Sequence, residues 1–445
     1  MKPILLNLIR AYHSRILLLL LLTVGLEILI LIAFNGLGIN SAPTKDEASY
    51  SLLAENLLDH HRFSWVNEPP YEPIINVTPG YPLFLALIYL LGWRAQVPVL
   101  IVQFVLLATT GWLLYLLAAR FVNRRAAVIA ALLCVTYPPL VFIATYRLTE
   151  IFATFLAVGL ILLLELSLAH PKRQLQIALL IGGTAGILIL VRPSFGLVAI
   201  FPLIVYLLHK KIVPWQRRIA MIALLTLGIS MCVGPWLLRN FLVSNRVVLS
   251  SIAGWSFLIS AQQYAQERNF QLTGEDWAEI ISENDARRHQ VESELHPASI
   301  IQEEIAMNER YSTEAIDKLQ QVGTLRMIAG LPSRLLAIWG VGDSLIRRFH
   351  KIAYVNYAGL ILLLIPGIFF CRKHIFKHWA LWIIPLYLTV IHLVFHVETR
   401  YSFPGRPFLL IYAGVTLDYA FNRLESMRTN PFRESSDSLK QWSSN

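Results

Sequence analysis

Three short segments of the sequence bring carboxylates, arginines and aromatic residues together, each at the end of a long apolar run. If those runs cross a membrane, the ionisable side chains lie at its boundary, where burying a charge is costly and usually serves a function. We therefore take these segments as candidate functional sites. They contain Asp46, Glu47 and Tyr50 in the first, Arg147 and Glu150 in the second, and His392, His396, Glu398, Arg400 and Tyr401 in the third.

For the first two segments, the spacing leaves a purely structural interpretation open. Thr44 and Glu47 match a capping box, which predicts a helix that begins here and carries Asp46 in its first turn. Asp46 and Glu47 could then serve only as helix caps. Glu150 lies in a connection of a few residues between two apolar runs, where it could be another N-cap paired with Arg147. Spacing alone does not decide between capping and chemistry.

The third segment favours phosphate binding over metal binding. His392 and His396 have the i, i+4 spacing that puts both on one helix face, where they could bind a metal ion. However, the sequence has no HExxH pattern here, and histidines beside aromatic residues are common at membrane boundaries. Arg400 can clamp a phosphate through two parallel charge-assisted hydrogen bonds. Its place beside Tyr401, at the end of an apolar run, suits the depth of a lipid headgroup.

The composition indicates what kind of protein must position these residues. Of 445 residues, 56% are hydrophobic and 15% are charged, and the mean hydropathy is +0.56. Soluble domains have roughly 45–50% apolar and 25% charged residues, so an ordinary soluble enzyme is excluded. The net charge of +10 fits lysines and arginines that set membrane orientation, and nucleic acid is not an expected partner. The three cysteines lie in apolar runs, so no disulfide framework is expected.

Ten apolar runs predict an all-α polytopic membrane protein. Lysines and arginines are dense in the connections that face the cytoplasm if the N-terminus is inside, and this orientation puts the C-terminus inside as well. The first run exceeds a signal-peptide core and lacks a convincing cleavage site, so it is expected to be retained. The predicted spans are 16–34, 98–119, 126–145, 151–169, 175–191, 194–208, 219–238, 352–370, 379–397 and 406–421.

Two external segments, 35–97 and 239–351, are too long to be mere connectors. In the first, the short apolar stretch from Gly80 to Gly92 is expected to form an interfacial helix. In the second, the polar stretch from Gln262 to Gln321 has the pattern of amphipathic helices over the membrane surface. Residues 1–421 are expected to form one domain, and the tail over 422–445 is expected to be cytoplasmic and disordered.

Five motifs, in order along the chain, resemble those of the GT-C glycosyltransferases, especially the branch with the protein O-mannosyltransferases and the lipid A aminoarabinose transferases. The resemblance extends from about residue 1 to 421, and it implies a bundle of about ten transmembrane helices with external interfacial helices. The motifs are Asp46-Glu47 with Tyr50, Pro79-Gly80-Tyr81-Pro82, Leu148-Thr149-Glu150, Pro235-Trp236-Leu237-Leu238-Arg239-Asn240, and Arg400-Tyr401 with Pro404 and Pro407.

The resemblance implies that a sugar moves, with inversion, from a polyprenyl-phosphate donor to a hydroxyl group of a glycan, lipid or protein on the external face. Asp46 corresponds to the catalytic carboxylate of the family, with Glu47 as its companion, and Glu150 to a further acid. A carboxylate can remove the proton of an acceptor hydroxyl as it attacks, and an arginine can stabilise the charge that develops on the leaving phosphate.

One departure from the family concerns the phosphate contacts. Many relatives have a basic residue just before the Pro-Gly-Tyr-Pro motif, where this chain has Val77-Thr78. The contacts must then come from other residues, and three arginines are candidates. Including neighbouring polar residues, the expected substrate-binding set is Arg400, Tyr401, Arg239, Arg147, Tyr50 and His396.

Localisation and cofactors follow from the resemblance only in outline. It implies a bacterial inner membrane with the site on the periplasmic face, and it names no definite cofactor, although a divalent cation could stabilise the leaving phosphate. A transporter or flippase is the main alternative, and it would place charged residues near the centres of spans. A non-catalytic scaffold would tolerate replacement of Asp46. In this sequence the charged residues collect at span ends, which favours an enzyme.

Overall fold

The structure, a computed structural model, describes residues 2–35, 44–92, 94–208, 214–265, 274–340 and 350–429. Within these ranges every regular element is a helix and no strand is present, which confirms the predicted all-α class. Short 3₁₀ helices lie at Pro171–Arg173, Pro193–Phe195, Arg372–His378 and Thr399–Gly405. The α-helices are α1 (Lys2–Asn35), α2 (Lys45–His60), α3 (Gly80–Tyr89), α4 (Gln96–Ala118), α5 (Arg124–Thr136), α6 (Pro138–Ile143), α7 (Glu150–Ala169), α8 (Gln174–Val191), α9 (Ile200–Leu208), α10 (Trp215–Ser244), α11 (Ala253–Ala265), α12 (Gly274–Leu295), α13 (Ile300–Val322), α14 (Thr324–Trp339), α15 (His350–Cys371), α16 (Trp379–Val394) and α17 (Arg406–Thr429).

A helix lies in each of the predicted spans, but α16 ends at Val394, before the predicted end of its span at residue 397. Six helical segments of the described residues are long and apolar enough to cross a membrane, which confirms a polytopic membrane protein. The predicted span 126–145 is divided into α5 and α6 at Tyr137, whose backbone is extended. The cause is Pro138, because a proline disfavours the helical conformation of the residue before it. The predicted span 194–208 likewise begins with the 3₁₀ turn before α9.

The expected disordered tail is wrong for residues 422–429, which form the end of α17. Arg125 on α5 holds this part of the helix. Its Nη1 donates a hydrogen bond to Oδ1 of Asn422 at 2.7 Å and lies 3.4 Å from Oε2 of Glu425. The rest of the tail, 430–445, lies outside the described residues. α10 also continues to Ser244, beyond the predicted end of its span at residue 238.

Contacts between helix ends show which connections lie on the same face of the bundle. Nδ2 of Asn123, just before α5, donates to Oδ2 of Asp418 on α17 at 2.9 Å. Nε of Arg120, just after α4, lies 3.8 Å from Oε2 of Glu165 near the end of α7. These connections were all predicted to be cytoplasmic, and the candidate site residues lie at the opposite ends of the helices. Which end faces the cytoplasm stays a prediction.

α8 and α10 cross with their backbones in direct contact. A Cβ atom added at Gly182 would overlap the backbone of Leu225, and one added at Gly228 would lie 2.5 Å from the carbonyl oxygen of Leu179. Any side chain at these two positions would therefore push the helices apart. Small residues allow such close approach between helices in a membrane. The two helices thus form a tightly joined pair.

The Pro-Gly-Tyr-Pro motif begins α3 and joins it to the end of α8. A Cβ atom added at Gly80 would overlap the backbone of Leu190, close to the last residue of α8. The hydroxyl of the buried Tyr81 donates a hydrogen bond to Oε1 of Gln103 on α4 at 3.2 Å. The helix predicted over Gly80 to Gly92 is therefore present, and α4 and α8 fix its position.

The two segments that were predicted to be external, 35–97 and 239–351, are joined to each other by carboxyl groups. Oε2 of Glu72 accepts a hydrogen bond from the backbone N–H of Ile300, the first residue of α13, at 2.9 Å. Oε2 of Glu304 on α13 accepts one from the backbone N–H of Ile75 at 2.8 Å. The amphipathic helices predicted in 262–321 are present as α12 and α13. The second segment thereby contacts the loop that leads into α3.

Candidate functional site

The capping box predicted at the start of α2 is present. The backbone N–H of Glu47 donates to Oγ1 of Thr44 at 3.3 Å, and the backbone N–H of Thr44 donates to Oε2 of Glu47 at 2.9 Å. The other oxygen of Glu47, Oε1, accepts the backbone N–H of Arg147 at 2.9 Å and lies 4.0 Å from Nε of that residue. One oxygen of the buried Glu47 therefore caps α2, and the other joins α2 to the connection before α7.

Asp46 is the neighbouring carboxylate in the first turn of α2, and it has a different partner. Its Oδ2 accepts a hydrogen bond from Nη1 of Arg400 at 3.0 Å. Nε of Arg400 also donates to Oε2 of Glu398 at 2.5 Å. The guanidinium of Arg400 therefore bridges two carboxylates, one from each end of the chain.

Glu150 adds a third carboxylate as the first residue of α7. Its Oε1 lies 3.2 Å from Nη1 of Arg192, which follows α8, and 3.9 Å from Nε of Arg400. Five residues from four parts of the chain thus surround one point at the end of the bundle. We call this group the Arg400 cluster, and it consists of Asp46, Glu150, Arg192, Glu398 and Arg400.

Aromatic rings line one side of the Arg400 cluster. The ring of Tyr401 lies 5.0 Å from the guanidinium carbon of Arg192 and 5.5 Å from that of Arg400. It stacks on His392 with 4.8 Å between ring centroids, and its hydroxyl lies 3.5 Å from Nδ1 of His396. Both arginines are therefore within the range of a cation–π interaction with one tyrosine.

The three carboxylates differ in their access to solvent. The side chain of Asp46 is 47% exposed, that of Glu398 is 20% exposed and that of Glu150 is 2% exposed. Asp46 is thus the carboxylate that a molecule entering from outside can reach. Glu150 is shielded and held by Arg192, so its position suits a group that orients the arginines.

Burial sets the protonation of the residues around Arg400. Burial works against the ionisation of Glu398, but the charge of Arg400 outweighs it and holds the pKa of Glu398 below its usual value. Burial lowers the pKa of His396 to about 4, so its ring is neutral at pH 7, and it lies 3.5 Å from Oε1 of Glu398. Burial also raises the pKa of Tyr50 above its usual range, with a further contribution from Asp46. Burial thus favours the neutral forms of His396 and Tyr50, whereas Arg400 favours the ionised form of Glu398.

The structure brings only some of the predicted site residues together. Asp46, Glu150 and Arg400 belong to the Arg400 cluster, and Tyr401 and His396 lie beside it. Tyr50 packs edge-on against Tyr81 at 5.2 Å and feels the charges of the cluster. Glu47 and Arg147 pair with each other. Arg239 lies elsewhere: its Nη1 donates to the carbonyl of Ile74 at 2.5 Å, and its guanidinium lies 4.9 Å from the ring of Trp236.

Arg192 is the cluster residue that the sequence analysis did not identify. It stands between two apolar runs, directly before Pro193, and no motif surrounds it. Its position could have identified it, because the predicted topology puts this basic residue on the same face of the membrane as Asp46 and Arg400. Glu398 lies in the third candidate segment, but the expected catalytic and substrate-binding sets do not include it.

The donor set does not favour a metal ion. Among the described residues, no group of three or more His, Cys, Asp and Glu side chains could hold one. Nδ1 of His392 lies 2.8 Å from the backbone carbonyl oxygen of His396, so one of its two ring nitrogens already has a partner. The carboxylates of the Arg400 cluster face guanidinium groups instead.

The fold formed by these helices is shared with solved oligosaccharyltransferase structures. The chain is similar to the oligosaccharyltransferase of Archaeoglobus fulgidus in its apo form, with a TM-score of 0.56 and 14% identity over 97% of this chain and 54% of that one. The archaeal oligosaccharyltransferase AglB of the same organism, in complex with an inhibitory peptide and a dolichol-phosphate, matches with the same TM-score, identity and coverage. The chain thus spans about half the length of these proteins.

A narrower match is found by sequence family. A family model described as dolichyl-phosphate-mannose-protein mannosyltransferase matches residues 76–238, a range that contains Glu150 and Arg192. ArnT from Cupriavidus metallidurans bound to undecaprenyl phosphate aligns with 93% of this chain and 81% of its own length at 14% identity, but its TM-score of 0.39 is too low to support a common fold. A comparison with curated proteins gave no match.

Proposed function

We propose that this protein is an inverting glycosyltransferase that moves a sugar from a polyprenyl-phosphate donor to a hydroxyl acceptor. The observation that carries the proposal is the Arg400 cluster, where an accessible carboxylate and two guanidinium groups meet at the end of a membrane-spanning bundle. A lipid-linked donor keeps its phosphate at headgroup depth, so its chemistry takes place at such a boundary. The family match over 76–238 and the dolichol-phosphate in the AglB complex support this class of donor.

Asp46 is the proposed general base. It removes the proton of the acceptor hydroxyl while the acceptor oxygen bonds to the anomeric carbon from the face opposite the phosphate. Its exposure, 47% of the side chain, gives an acceptor access to it. General-base assistance contributes about 10²–10⁴-fold to a rate.

Arg400 and Arg192 are proposed to hold the donor phosphate. As the bond between the anomeric carbon and the phosphate oxygen breaks, the phosphate gains negative charge, and the two guanidinium groups stabilise that charge where it develops. Nη1 of Arg192 is buried beside Glu150 without a hydrogen bond of good geometry, so it has an N–H to offer. A phosphate bound to Arg400 would compete with Asp46 for the guanidinium and leave the carboxylate available to the acceptor.

The proposed location is a bacterial inner membrane, with the Arg400 cluster on the external face. The proposed acceptor is a glycan, lipid or protein of the cell envelope. The external segments, 35–97 and 239–351, would select it, because they lie at the same end of the bundle as the cluster. Lysines and arginines are dense in the connections that this orientation places in the cytoplasm, as the positive-inside rule requires.

The test is a comparison of cells with and without the protein, followed by assay of the purified protein. Mass spectrometry of cells that lack it is expected to show a polyprenyl-phosphate sugar that accumulates and an envelope glycan that loses one sugar. The purified protein should release one polyprenyl phosphate for each sugar transferred, with the anomeric configuration inverted. Unchanged lipid-linked sugars and unchanged glycans in the deletion would contradict the proposal.

A further inference from the structure

Arg334 on α14 is a cation buried inside the second external segment. Its side chain is fully buried, with 0% exposure. Among the described residues, no carboxylate forms an ion pair with it, and its guanidinium carbon lies 4.2 Å from the ring centroid of Tyr264. Burial lowers the pKa of Arg334 to about 10, so it keeps its charge at pH 7. A buried charge of this kind must be stabilised by hydrogen bonds to neutral groups.

Those hydrogen bonds go to the end of α16. Nη2 of Arg334 donates to the backbone carbonyls of His392 at 3.1 Å and Phe395 at 2.7 Å, and it lies 3.0 Å from Oγ of Ser260. The last four carbonyls of a helix have no partner within the helix. Arg334 therefore satisfies the first and the last of the four carbonyls at this helix end.

Two residues of α11 satisfy the other two carbonyls. The hydroxyl of Tyr264 donates to the carbonyl of Leu393 at 2.9 Å, and Oγ of Ser260 donates to the carbonyl of Val394 at 2.7 Å. The whole C-terminal end of α16 is thus capped by side chains of the second external segment. The positive charge of Arg334 also lies at the negative end of the helix dipole, which is the favourable arrangement.

The residues between α16 and Arg400 also form hydrogen bonds with the second external segment. The backbone N–H and carbonyl of Val397 pair with the amide of Gln263, at 3.1 Å and 3.0 Å respectively. The backbone N–H of His396 donates to the carbonyl of Ser256 at 3.2 Å. Oγ1 of Thr399 donates to the carbonyl of Ala337 on α14 at 3.0 Å. The next residue is Arg400.

We propose that Arg334 is a positioning residue that fixes the end of α16 and thereby the place of Glu398 and Arg400 in the site. It does not touch the substrate but acts through the backbone of residues 392–399. Productive geometry has to be held within about 0.5 Å, so a small displacement of this segment separates Arg400 from its partners. The effect on sugar transfer rests on the proposed function, whereas the effect on the segment itself does not.

The structural part of the proposal is tested by hydrogen exchange. In the full chain reconstituted in nanodiscs, Arg334→Met is expected to speed exchange at the backbone amides of Phe395, His396 and Val397 by at least tenfold. Arg218→Met is the matched control. Arg218 is also a buried arginine that donates to a backbone carbonyl, that of Leu207 at 2.7 Å. It lies at the start of α10 and is not part of the Arg400 cluster. Unchanged exchange over residues 392–399 in Arg334→Met would overturn the proposal.

The functional part is tested by donor kinetics of the folded fraction. Arg334→Met is expected to raise the KM for the donor about tenfold and to lower kcat, whereas Arg218→Met should leave KM unchanged even if it lowers the amount of folded protein. Arg334→Lys keeps the charge and should restore part of the donor affinity. Faster amide hydrogen exchange in Arg334→Met together with wild-type KM and kcat would overturn the link between Arg334 and the site. If wild-type protein transfers no sugar while the exchange result holds, the proposed function fails and the positioning role stands.

Discussion

Replacing Asp46 by Asn separates the proposed chemistry from the stability of the site. The amide keeps the size and polarity of the carboxylate but cannot accept a proton from the acceptor. Loss of general-base assistance should lower the transfer rate by about 10²–10⁴-fold. At about 1.4 kcal/mol for each factor of ten, this corresponds to about 3–5 kcal/mol of lost transition-state stabilisation. The KM for the donor should change little.

The same substitution should barely affect folding. The ion pair with Arg400 is 3.0 Å long, but the side chain of Asp46 is 47% exposed, so solvent screens the interaction. Such half-exposed pairs contribute up to about 1 kcal/mol. Arg400 also keeps its hydrogen bond to Glu398 in the variant. A large loss of activity with little change in melting temperature is therefore the expected result.

Glu150→Gln provides the contrast, because this carboxylate is held in a different way. Its side chain is 2% exposed and that of Arg192 is 10% exposed, at an oxygen-to-nitrogen distance of 3.2 Å. Removing one partner of such a buried pair costs about 3–5 kcal/mol, since the other charge stays buried without compensation. Glu150→Gln should therefore lower the melting temperature clearly, whereas Asp46→Asn should not.

The assay measures both quantities on the same purified samples in nanodiscs. Transfer is followed by the release of polyprenyl phosphate, and stability by thermal unfolding. Asp59→Asn is the matched control, because Asp59 is also a half-exposed aspartate paired with an arginine, Arg94, at 2.6 Å and outside the Arg400 cluster. It should keep wild-type activity. Near wild-type transfer by Asp46→Asn, with an inactive but folded Glu150→Gln, would refute the assignment of the base; activity in both would refute the glycosyltransferase proposal.

Other predictions concern the phosphate contacts, a buried acid and the orientation. Arg400→Lys and Arg192→Lys keep the charge but lose the bidentate hydrogen bonding to phosphate, so each should raise the donor KM about tenfold in steady-state assays. Unchanged donor kinetics in either variant would show that this arginine does not bind the donor phosphate. Burial raises the pKa of Glu304 to about 7, so its protonated form is favoured in the folded state and its contribution to stability is lost as the pH rises through 7. The melting temperature of Glu304→Gln should rise relative to wild type between pH 5 and pH 8, and a constant difference would contradict the pKa. A single cysteine at the exposed position 294 should be labelled from outside intact cells; labelling only after permeabilisation would reverse the orientation.

The sequence predicted the helices better than it predicted the contacts between them. Apolar runs predicted where the long helices lie, because spanning a membrane requires such runs, and six helical segments of the described residues are long and apolar enough to cross one. The capping box gave the start of α2, because its two hydrogen bonds join Thr44 and Glu47, which are close in sequence. Asp46 and Arg400 are separated by 354 positions, and only their shared face and the family resemblance suggested that they meet.

Arg192 and Arg334 show why the remainder could not be predicted. Arg192 has no surrounding motif, and its role depends on how the end of α8 is oriented beside α7. Arg334 lies on an amphipathic helix whose pattern indicates which face is buried but not what it is buried against. Its partners are backbone carbonyls at the end of α16. Every residue has such a carbonyl, so the residue type does not indicate which carbonyls accept a hydrogen bond from a side chain.

The contact between α8 and α10 limits how a lipid could approach the cluster. At Gly182 and Gly228 the gap between the two helices does not admit even a methyl group. A polyprenyl chain is much wider than that, so it cannot pass between α8 and α10 at these positions. If the donor is lipid-linked, as proposed, its tail must remain in the bilayer beside other helices while its phosphate reaches Arg192. The entrance for the donor should therefore be sought on a side of the bundle away from α8 and α10.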